Sequence, residues 1–155
     1  MKEKRNLINI VLTIALIAGV ALLLYPSVSD YVNSFHQTRA IAGYGEIVSA
    51  MDEDECKRQW DAAVAYNAQR RSEKNDFFLT EAETAKYNEM LNISGDGIMG
   101  YIEIPMINCS LPIYHGTDDD ALQIAIGHLE WSDLPVGGEG THCVLSGHRG
   151  LPSAK

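Results

Sequence analysis

The sequence predicts an α+β chain that begins with a membrane-spanning helix, continues with helices and ends in short strands. Three observations support this prediction. An apolar run occupies residues 7–24, apolar side chains follow helical spacing across residues 27–71, and alternation with a period of two begins near Gly100. Helices that precede a group of strands are typical of the α+β class, and the strands are expected to form a β-barrel or a sandwich.

The composition is that of a folded, acidic chain. Its 155 residues include 12 lysines and arginines against 21 aspartates and glutamates, for a formal net charge of −9, and 46% of the residues are hydrophobic. This apolar share excludes an intrinsically disordered chain. The acidic balance argues against a nucleic-acid partner, because the sequence has no basic patch to displace counterions from phosphates. Three cysteines are too few for a disulfide framework.

The predicted membrane anchor covers residues 7–25 and follows a basic segment at residues 1–6. Its first 18 residues contain only Asn9 and Thr13 as polar side chains. As a helix this run reaches about 27 Å, close to the hydrocarbon thickness of roughly 30 Å. The basic flank should stay in the cytoplasm, which places the following domain outside the cell, and Pro26 should end the span. A cleaved signal peptide is the alternative, but its apolar core is typically only about 7–15 residues long.

Residues 26–71 are predicted to form helices that pack on the body of the domain. Ser29 or Asp30 is a candidate N-cap for the first helix, and Asp52 with Glu55 is a candidate capping box for the second. Along the second helix, side chains at spacings of three or four form a stripe that is apolar except for one polar residue. The stripe consists of Cys56, Trp60, Ala63, Val64 and Asn67. Packing is favoured over a coiled-coil contact, because the heptads are too few.

Residues 72–97 are predicted to be a polar loop followed by a short helix. Thr80 and Glu83 form a candidate capping box for this helix, which should end near Leu91. Residues 98–155 form the predicted strand region. Its elements are strands at 100–105 and 107–114 around a turn at Pro105 and Met106, a helix at 118–125, and a strand at 141–146 that Gly147 ends.

Histidines and cysteines late in the chain raise a metal or nucleophile hypothesis. Four of the five histidines are His115, His128, His142 and His148. No pair has the spacing of a zinc finger, and six extended residues would separate the last two by roughly 20 Å, so we predict no metal site. On the same strand Cys143 would lie about 16 Å from His148, so Cys143 and Cys109 are interpreted as small core residues.

His148 differs from the other histidines because it follows Ser146 and Gly147 at a strand end and precedes Arg149 and Gly150. The glycines let the backbone turn and leave the imidazole open. A histidine in this position can act as an acid or a base near neutral pH. From spacing alone, a structural role and a catalytic role are equally favoured.

The run THCVLSGHRGLP at residues 141–152 resembles the catalytic-histidine segment of class C sortases, the pilin-polymerising transpeptidases of Gram-positive bacteria. Ala65-Tyr66-Asn67 in the second helix also fits the family. Four further runs agree in the same order: GYIEIP at 100–105, LPIYHGT at 111–117, GHLE at 127–130 and LPVGGEG at 134–140.

This resemblance implies a sortase-type β-barrel, of which residues 98–155 form the first strands, behind a membrane anchor and N-terminal helices. It implies cleavage of an LPxTG-like sorting signal through a cysteine thioester, and transfer of the acyl group to a lysine amine of a pilin subunit. His148 would work with the cysteine thiolate and protonate the leaving amine. His115, His128 and His142 match structural positions, and no cofactor is implied.

The resemblance also implies a lid over the cleft, commonly Asp-Pro-aromatic. The matching residues here are Asp76, Phe77 and Phe78. Asp76 and Phe78 fit the pattern, whereas Phe77 replaces the proline, which implies a less rigid lid because a fixed φ angle is lost. The alternative for the two phenylalanines is a hydrophobic contact with the body.

The family's nucleophile segment, Thr-Leu-x-Thr-Cys with an arginine beyond it, is not found before Lys155. We therefore expect a C-terminally truncated portion of a class C sortase, inactive alone and only marginally stable. Two other hypotheses stay open. One is a membrane-anchored extracellular binding domain without enzymatic activity, and the other is an unrelated cysteine hydrolase that uses Cys109 or Cys143.

Overall fold

The structure is a computed structural model that describes residues 2–72 and 77–147. Residues 2–35 belong to one unit and residues 36–147 to another. The helices are α1 (Lys2–Ala50), α2 (Glu53–Ser72), α3 (Glu81–Glu89) and α4 (Asp119–Ile124), and a 3-10 turn covers Pro105–Ile107. The strands are β1 (Ile98–Ile104), β2 (Cys109–His115), β3 (Ile126–His128) and β4 (Leu145–Gly147).

Helix α1 continues through Pro26, so the predicted helix end at this proline and the predicted new start at Ser29 or Asp30 are wrong. A proline inside a helix lacks one N–H donor and crowds the carbonyl of Leu22, at a cost of about 3 kcal/mol. That cost is local, and the hydrogen-bonded turns on both sides keep the helical path.

Helix α1 is, within the described part of the chain, the one helix long and apolar enough to cross a membrane. This rests on length and composition, and an N-terminal signal sequence has the same properties. The Thr13 hydroxyl donates to the carbonyl of Asn9 at 2.8 Å, so a polar side chain of the apolar run is satisfied within the helix itself.

In the second unit, the C-terminal part of α1 binds the sheet region through the side chains of Gln37 and Tyr44. Gln37 Nε2 donates to the carbonyl oxygen of Ile124 at 2.5 Å, at the end of α4. The Tyr44 hydroxyl donates to the carbonyl oxygen of Met99 at 3.2 Å, in β1. These two bonds attach the helix to both the first strand and the segment that leads into β3.

Helix α2 begins at the predicted cap, since Asp52 Oδ1 accepts from the backbone N–H of Glu55 at 2.7 Å. The carboxylate of Glu55 binds Gln59 and Arg58, as a side-chain contact within the helix. The buried face of the helix consists of Ala63, Tyr66 and Asn67, while two members of the predicted stripe, Trp60 and Val64, are exposed.

The buried Asn67 side chain clamps the loop that follows β3. Its Oδ1 accepts from the backbone N–H of Leu134 at 2.8 Å, and its Nδ2 donates to the Leu134 carbonyl oxygen at 3.2 Å. Both residues are almost fully buried. A buried amide that lost these partners would leave donors and acceptors unsatisfied, so this pair fixes the loop to α2.

The predicted capping box of α3 is confirmed, although the helix ends at Glu89 rather than near Leu91. The backbone N–H of Glu83 donates to the Thr80 hydroxyl oxygen at 3.4 Å, and the Thr80 backbone N–H donates to the Glu83 carboxylate at 2.7 Å. This start places Tyr87 one further turn along, in the core of the domain.

The strands form one four-stranded sheet in the order β1-β2-β3-β4. Strands β1 and β2 are antiparallel around the predicted turn at Pro105, β2 and β3 are parallel, and β3 and β4 are antiparallel. Over the described residues the sheet is open, and it shows neither the barrel nor the sandwich that the sequence predicts. The helix predicted at 118–125 is confirmed as α4, capped by Asp118.

Strand β4 is shorter than predicted, because the residues before Leu145 bind a loop. The Val144 carbonyl accepts from the Leu129 N–H at 3.0 Å, and the Val144 N–H donates to the Ser132 hydroxyl at 3.0 Å. The N–H of Val144 thus bonds to a side chain, and the assigned strand pairing begins only at Leu145.

Gly127 marks a close crossing of two backbone segments. A Cβ at this residue would lie 2.1 Å from the carbonyl oxygen of Gly116 and 3.1 Å from the Cα of Thr117. The turn after β2 therefore passes directly over the middle of β3. Only a residue without a side chain lets β3 pair with β2 at this point.

The Tyr87 hydroxyl joins three backbone segments in the core. It accepts from the Gly116 N–H at 3.1 Å and faces both Nδ1 and the carbonyl oxygen of His128, at 3.0 and 3.1 Å. His128 Nε2 lies 2.8 Å from the carbonyl oxygen of Asp133. Because a carbonyl oxygen can only accept, Nε2 is assigned as the protonated ring nitrogen, which donates this bond. Burial lowers the pKa of His128 below its ordinary value of 6.5, in agreement with a neutral ring.

We expect Gly127→Ala to lower the free energy of unfolding by about 2–3 kcal/mol, because a methyl group meets the rigid Gly116 carbonyl. Denaturant unfolding of the chain in detergent, followed by circular dichroism, measures the change. Gly100→Ala in β1 is the matched control, because nothing lies within 4 Å of its added Cβ, and it should cost less than about 1 kcal/mol. Equal losses for the two variants would contradict the crossing.

Below about pH 6.5 the domain should lose stability through His128. The pKa of His128 is lowered in the folded state, so the unfolded state binds the proton more readily. The free energy of unfolding therefore decreases as the pH decreases, by at most about 1.4 kcal/mol per pH unit for one proton. Above that pH, His128 contributes no dependence. Unfolding between pH 7.5 and 5.5 should show a smaller slope for His128→Gln than for the wild type. If nuclear magnetic resonance showed that the His128 ring protonates at or above pH 6.5, the lowered pKa would be refuted.

Candidate active site at the end of strand β4

The predicted catalytic residue His148 and the predicted lid residue Asp76 lie outside the described residues. The structure does describe the strand that leads to His148. Gly147, the last residue of β4, pairs with Ile126 at the start of β3, and Ser146 pairs with Gly127. Gly147, which directly precedes the predicted catalytic histidine in the sequence, therefore lies beside the start of β3.

His128 is fully buried and His115 is half-buried, and both rings have structural contacts. His115 Nδ1 lies 2.9 Å from the Gly97 carbonyl oxygen, and Nε2 lies 2.7 Å from the Met90 carbonyl oxygen. Its ring packs edge-on against Tyr87, with 5.0 Å between centroids, while His128 stacks on the same tyrosine. Both imidazole rings are therefore hydrogen-bonded to backbone carbonyl groups, which connects separate segments of the chain.

His142 closes a loop rather than approaching the end of β4. Its backbone N–H donates to Asp133 Oδ2 at 2.7 Å, and its carbonyl accepts from the Asp133 N–H at 3.1 Å. His142 lies five positions before Gly147, a reach of at most about 18 Å along the chain. His142 is therefore placed by the loop after β3, through its backbone bonds with Asp133.

A pocket of about 170 Å³ lies beside this loop, against the C-terminal end of α2. Within it Arg70 is mostly buried, and its Nη1 lies 3.5 Å from Glu83 Oε1. The residues that line it are Arg70, Arg71, Phe77, Trp131, Ser132, Asp133 and His142. The guanidinium of Arg70 is thus held by α3 on one side of a pocket whose other wall is the loop after β3.

Phe77, not Phe78, makes the ring contact with the body of the domain. The Phe77 ring packs edge-on against Trp131, with 5.4 Å between centroids and 75° between planes. Phe77 is 69% exposed and Phe78 is 87% exposed. The alternative prediction of a hydrophobic contact thus applies to Phe77, while the predicted lid residue Phe78 is exposed to solvent.

Cys143 does not have the lowered thiol pKa of an activated nucleophile. Cys56, Cys109 and Cys143 are free thiols. Burial, and then the negative charge of Asp133, raise the pKa of the Cys143 thiol above its ordinary value. A nucleophilic cysteine needs a lowered pKa, so the structure gives the hypothesis of a hydrolase based on Cys143 no support.

Sequence reasoning missed Tyr87, Trp131 and the clamp formed by Asn67. The signal for Asn67 was visible as the single polar member of an apolar helical stripe, a pattern that indicates a buried hydrogen bond. Tyr87 lies one turn after the capping box, which marks it only as a core candidate. Trp131 has no local signal, because its partner Phe77 lies 54 positions earlier in the sequence.

Comparison with known proteins relates the chain to sortases. No protein-family profile matches it. It is 32% identical over 109 residues to sortase D of Bacillus subtilis, a match that covers 70% of this chain and 53% of that protein. The chain therefore spans about half the length of this curated relative.

Several solved structures have the same fold over the matched part. Sortase C1 of Streptococcus agalactiae is 49% identical, with a TM-score of 0.70 over 75% of this chain and 60% of that one. Sortase C of Streptococcus pneumoniae is 44% identical, with a TM-score of 0.60 over 75% and 58%. A lid mutant of the S. agalactiae enzyme is 39% identical, with a TM-score of 0.59 over 74% and 58%.

Identity and fold agree across three quarters of the chain, and they extend the resemblance seen in the short motifs. The fold that this chain shares with sortase C1 of S. agalactiae covers 75% of its residues. We conclude that the chain belongs to the sortase family, among the class C sortases.

Proposed function

We propose that the protein is a pilin-polymerising transpeptidase that cleaves an LPxTG-like sorting signal and joins pilin subunits through a lysine amine. The observation that carries this proposal is the 49% identity to sortase C1 of S. agalactiae over 75% of the chain. The related sortase C of S. pneumoniae is described by its pilin substrate specificity. Because the chain covers only about three fifths of these relatives, activity and substrates are proposed for the whole protein.

In this proposal His148 is the acid and base of the reaction. A cysteine thiolate, supplied by the nucleophile segment that the family places after the histidine, attacks the carbonyl carbon of the threonine in the sorting signal. His148 gives its proton to the departing amine, and an acyl thioester remains. The lysine amine then attacks the thioester, loses a proton to His148 and releases the thiolate.

The location of β4 supports this role. Its pairing with β3 carries the backbone to Gly147 at the edge of the described sheet, and His148 is the next residue. None of the three cysteines of the chain is in the matching position of the nucleophile. The raised pKa of the Cys143 thiol agrees with a nucleophile elsewhere in the protein.

We further propose that α1 anchors the protein in the cell membrane, with the acidic domain outside. The apolar part of the helix has the length and composition to span a bilayer. The basic residues Lys2, Lys4 and Arg5 precede it and should remain in the cytoplasm. A surface location brings the domain to exported pilin subunits.

A lid formed by Asp76 and Phe78 is also proposed. Two observations support it. A lid exists in a relative, since one of the solved structures is of a lid mutant of S. agalactiae sortase C1. The second is that Phe77, which lies between the two proposed lid residues in the sequence, packs against Trp131 of the domain.

In the full-length protein, His148→Ala should lower the rate of sorting-signal cleavage by about 10²–10⁴-fold, because the leaving amine loses its proton donor. Mass spectrometry of an LPxTG-like peptide incubated with a lysine-containing acceptor measures cleavage and transfer together. His142→Ala is the matched control and should retain activity within about threefold, because its contacts with Asp133 are made by its backbone. Full activity in His148→Ala would refute the proposed role.

Replacing Asp76 and Phe78 with alanine should raise access to the cleft of the full-length protein. A thiol probe should then label the nucleophilic cysteine faster, and Phe77→Ala should act in the same direction because it removes the contact with Trp131. Trp60→Ala, an exposed residue of α2, is the control and should leave the rate unchanged. Labelling rates that are the same in all four proteins would argue against a lid.

A further inference from the structure

The guanidinium of Arg70 has a buried edge without hydrogen-bond partners. The side chain is only 12% exposed, and its ion pair joins Nη1 to Glu83 Oε1 at 3.5 Å. The Nε and Nη2 atoms are buried, and neither has a hydrogen-bond partner in the part of the chain that the structure describes. Buried N–H groups are paired in the large majority of cases, so this edge is a candidate for binding an acceptor from a ligand.

Glu83 compensates the charge of Arg70 only in part. Its Oε2 accepts from the backbone N–H of Thr80 at 2.7 Å and from the Thr80 hydroxyl at 2.6 Å. The 3.5 Å between Nη1 and Oε1 is longer than an N–H···O hydrogen bond, which spans about 2.7–3.2 Å. The carboxylate of Glu83 is therefore bound mainly to the start of α3, and the guanidinium keeps the capacity to bind a second anion.

The pocket beside Arg70 has a positive character. Arg71 also lines it, is exposed, and forms no ion pair with a described residue. The acidic residue of the lining, Asp133, already accepts the backbone N–H of His142 through Oδ2 at 2.7 Å. Two arginines thus face one carboxylate that has a partner of its own, and an anion is the complementary ligand.

The aromatic side of the pocket and its volume limit the ligand further. Trp131 and Phe77 pack edge-on and line the pocket together. Apolar rings beside a cation lower the local dielectric, which strengthens the attraction between the cation and an anion. The volume of about 170 Å³ has room for about five water molecules, and so for an acidic side chain.

The unpaired edge of Arg70 selects the kind of anion. The N–H groups of Nε and Nη2 point in the same direction, and this planar fork matches the two oxygens of a carboxylate. A tetrahedral phosphate dianion needs more donors than one fork supplies. A planar group with one charge and a short carbon stem suits a site with one such fork and two rings.

We propose that this pocket is a carboxylate-binding site, in which Arg70 binds the carboxylate and the rings of Phe77 and Trp131 contact its carbon stem. The carboxylate belongs to an acidic side chain of a peptide or to a small free acid, since both have the same chemistry. Binding requires a side-chain movement, because Nε and Nη2 are shielded from solvent. The site is independent of the proposed function, because neither His148 nor the transfer reaction takes part in it.

Tryptophan fluorescence of the full chain in detergent tests the site. The chain has two tryptophans, and Trp60→Phe leaves Trp131, in the pocket, as the single reporter. The probes are acetyl-Ala-Glu-Ala-amide, acetyl-Ala-Gln-Ala-amide, sodium propionate and inorganic phosphate, all at one ionic strength. The glutamate peptide should change the emission saturably, with a Kd at least tenfold lower than that of the glutamine peptide.

Variants in the same background test the fork of Arg70. Arg70→Lys keeps the charge and loses the two parallel donors, so the Kd of the glutamate peptide should rise at least tenfold. Arg58→Lys is the matched control, because Arg58 is an exposed arginine of the same helix that binds Glu55 and does not line the pocket. Its Kd should stay within about threefold of the parent value.

Thermal unfolding of the wild type gives a second measurement that needs no variant. A ligand that binds the folded state raises Tm, so the glutamate peptide should raise it and the glutamine peptide should not. If propionate competes with the glutamate peptide and also loses affinity in Arg70→Lys, a small free acid is a ligand. If the peptide binds and propionate does not compete, the ligand is a peptide side chain. Both results support the site.

Three results would overturn the inference. Equal affinities for the glutamate and glutamine peptides, or tighter binding of phosphate than of either carboxylate, would contradict the selection of a carboxylate. An unchanged Kd in a folded Arg70→Lys variant would show that Arg70 does not bind the ligand. A chain that shows neither a saturable change in emission nor a change in Tm with the carboxylate probes has no such site.

Discussion

The buried hydroxyl of Tyr87 connects the helical part of the second unit to its sheet. It is the place where α3, the turn after β2 and strand β3 meet, through Gly116 and His128. Burial raises the pKa of this phenol, so it remains a neutral donor and acceptor throughout the physiological range. Because β3 is only three residues long, its own ladder is weak, and this hydrogen-bonded centre holds it in register. The position of β4, and hence of Gly147, depends on that register.

The structural features that sequence reasoning predicted correctly are local. The caps at Asp52 and Thr80 each depend on a side chain that reaches a backbone N–H three residues away, so the pattern is complete within one turn. Strand β3 was missed because three residues give no measurable alternation and its partner β2 is parallel across a helix. The break expected at Pro26 failed for the opposite reason: a strong local signal was outweighed by the helical turns on both sides.

In the candidate site, too, local patterns were predicted from the sequence and contacts between distant residues were not. Spacing alone left His148 undecided between two roles, and only the resemblance of longer runs favoured the catalytic one. The lid pattern pointed to Phe78, yet Phe77 contacts Trp131, since which of two adjacent rings meets the body depends on a distant surface. The pairing of Ile126 with Gly147 also has no sequence signal, because it requires the register of two strands separated by a long loop.

The loop between Asp133 and His142 is closed at its base by hydrogen bonds between these two residues. Backbone and carboxylate bonds join its two ends, and Asn67 holds Leu134 just inside them. The tip at residues 137–140 lies exposed beyond these ties. Since the strands take their position from the base and not from the tip, the tip is a natural place for nature or an engineer to insert sequence. Epitopes, tags or family-specific extensions grafted there would leave the sheet and the end of β4 as they are.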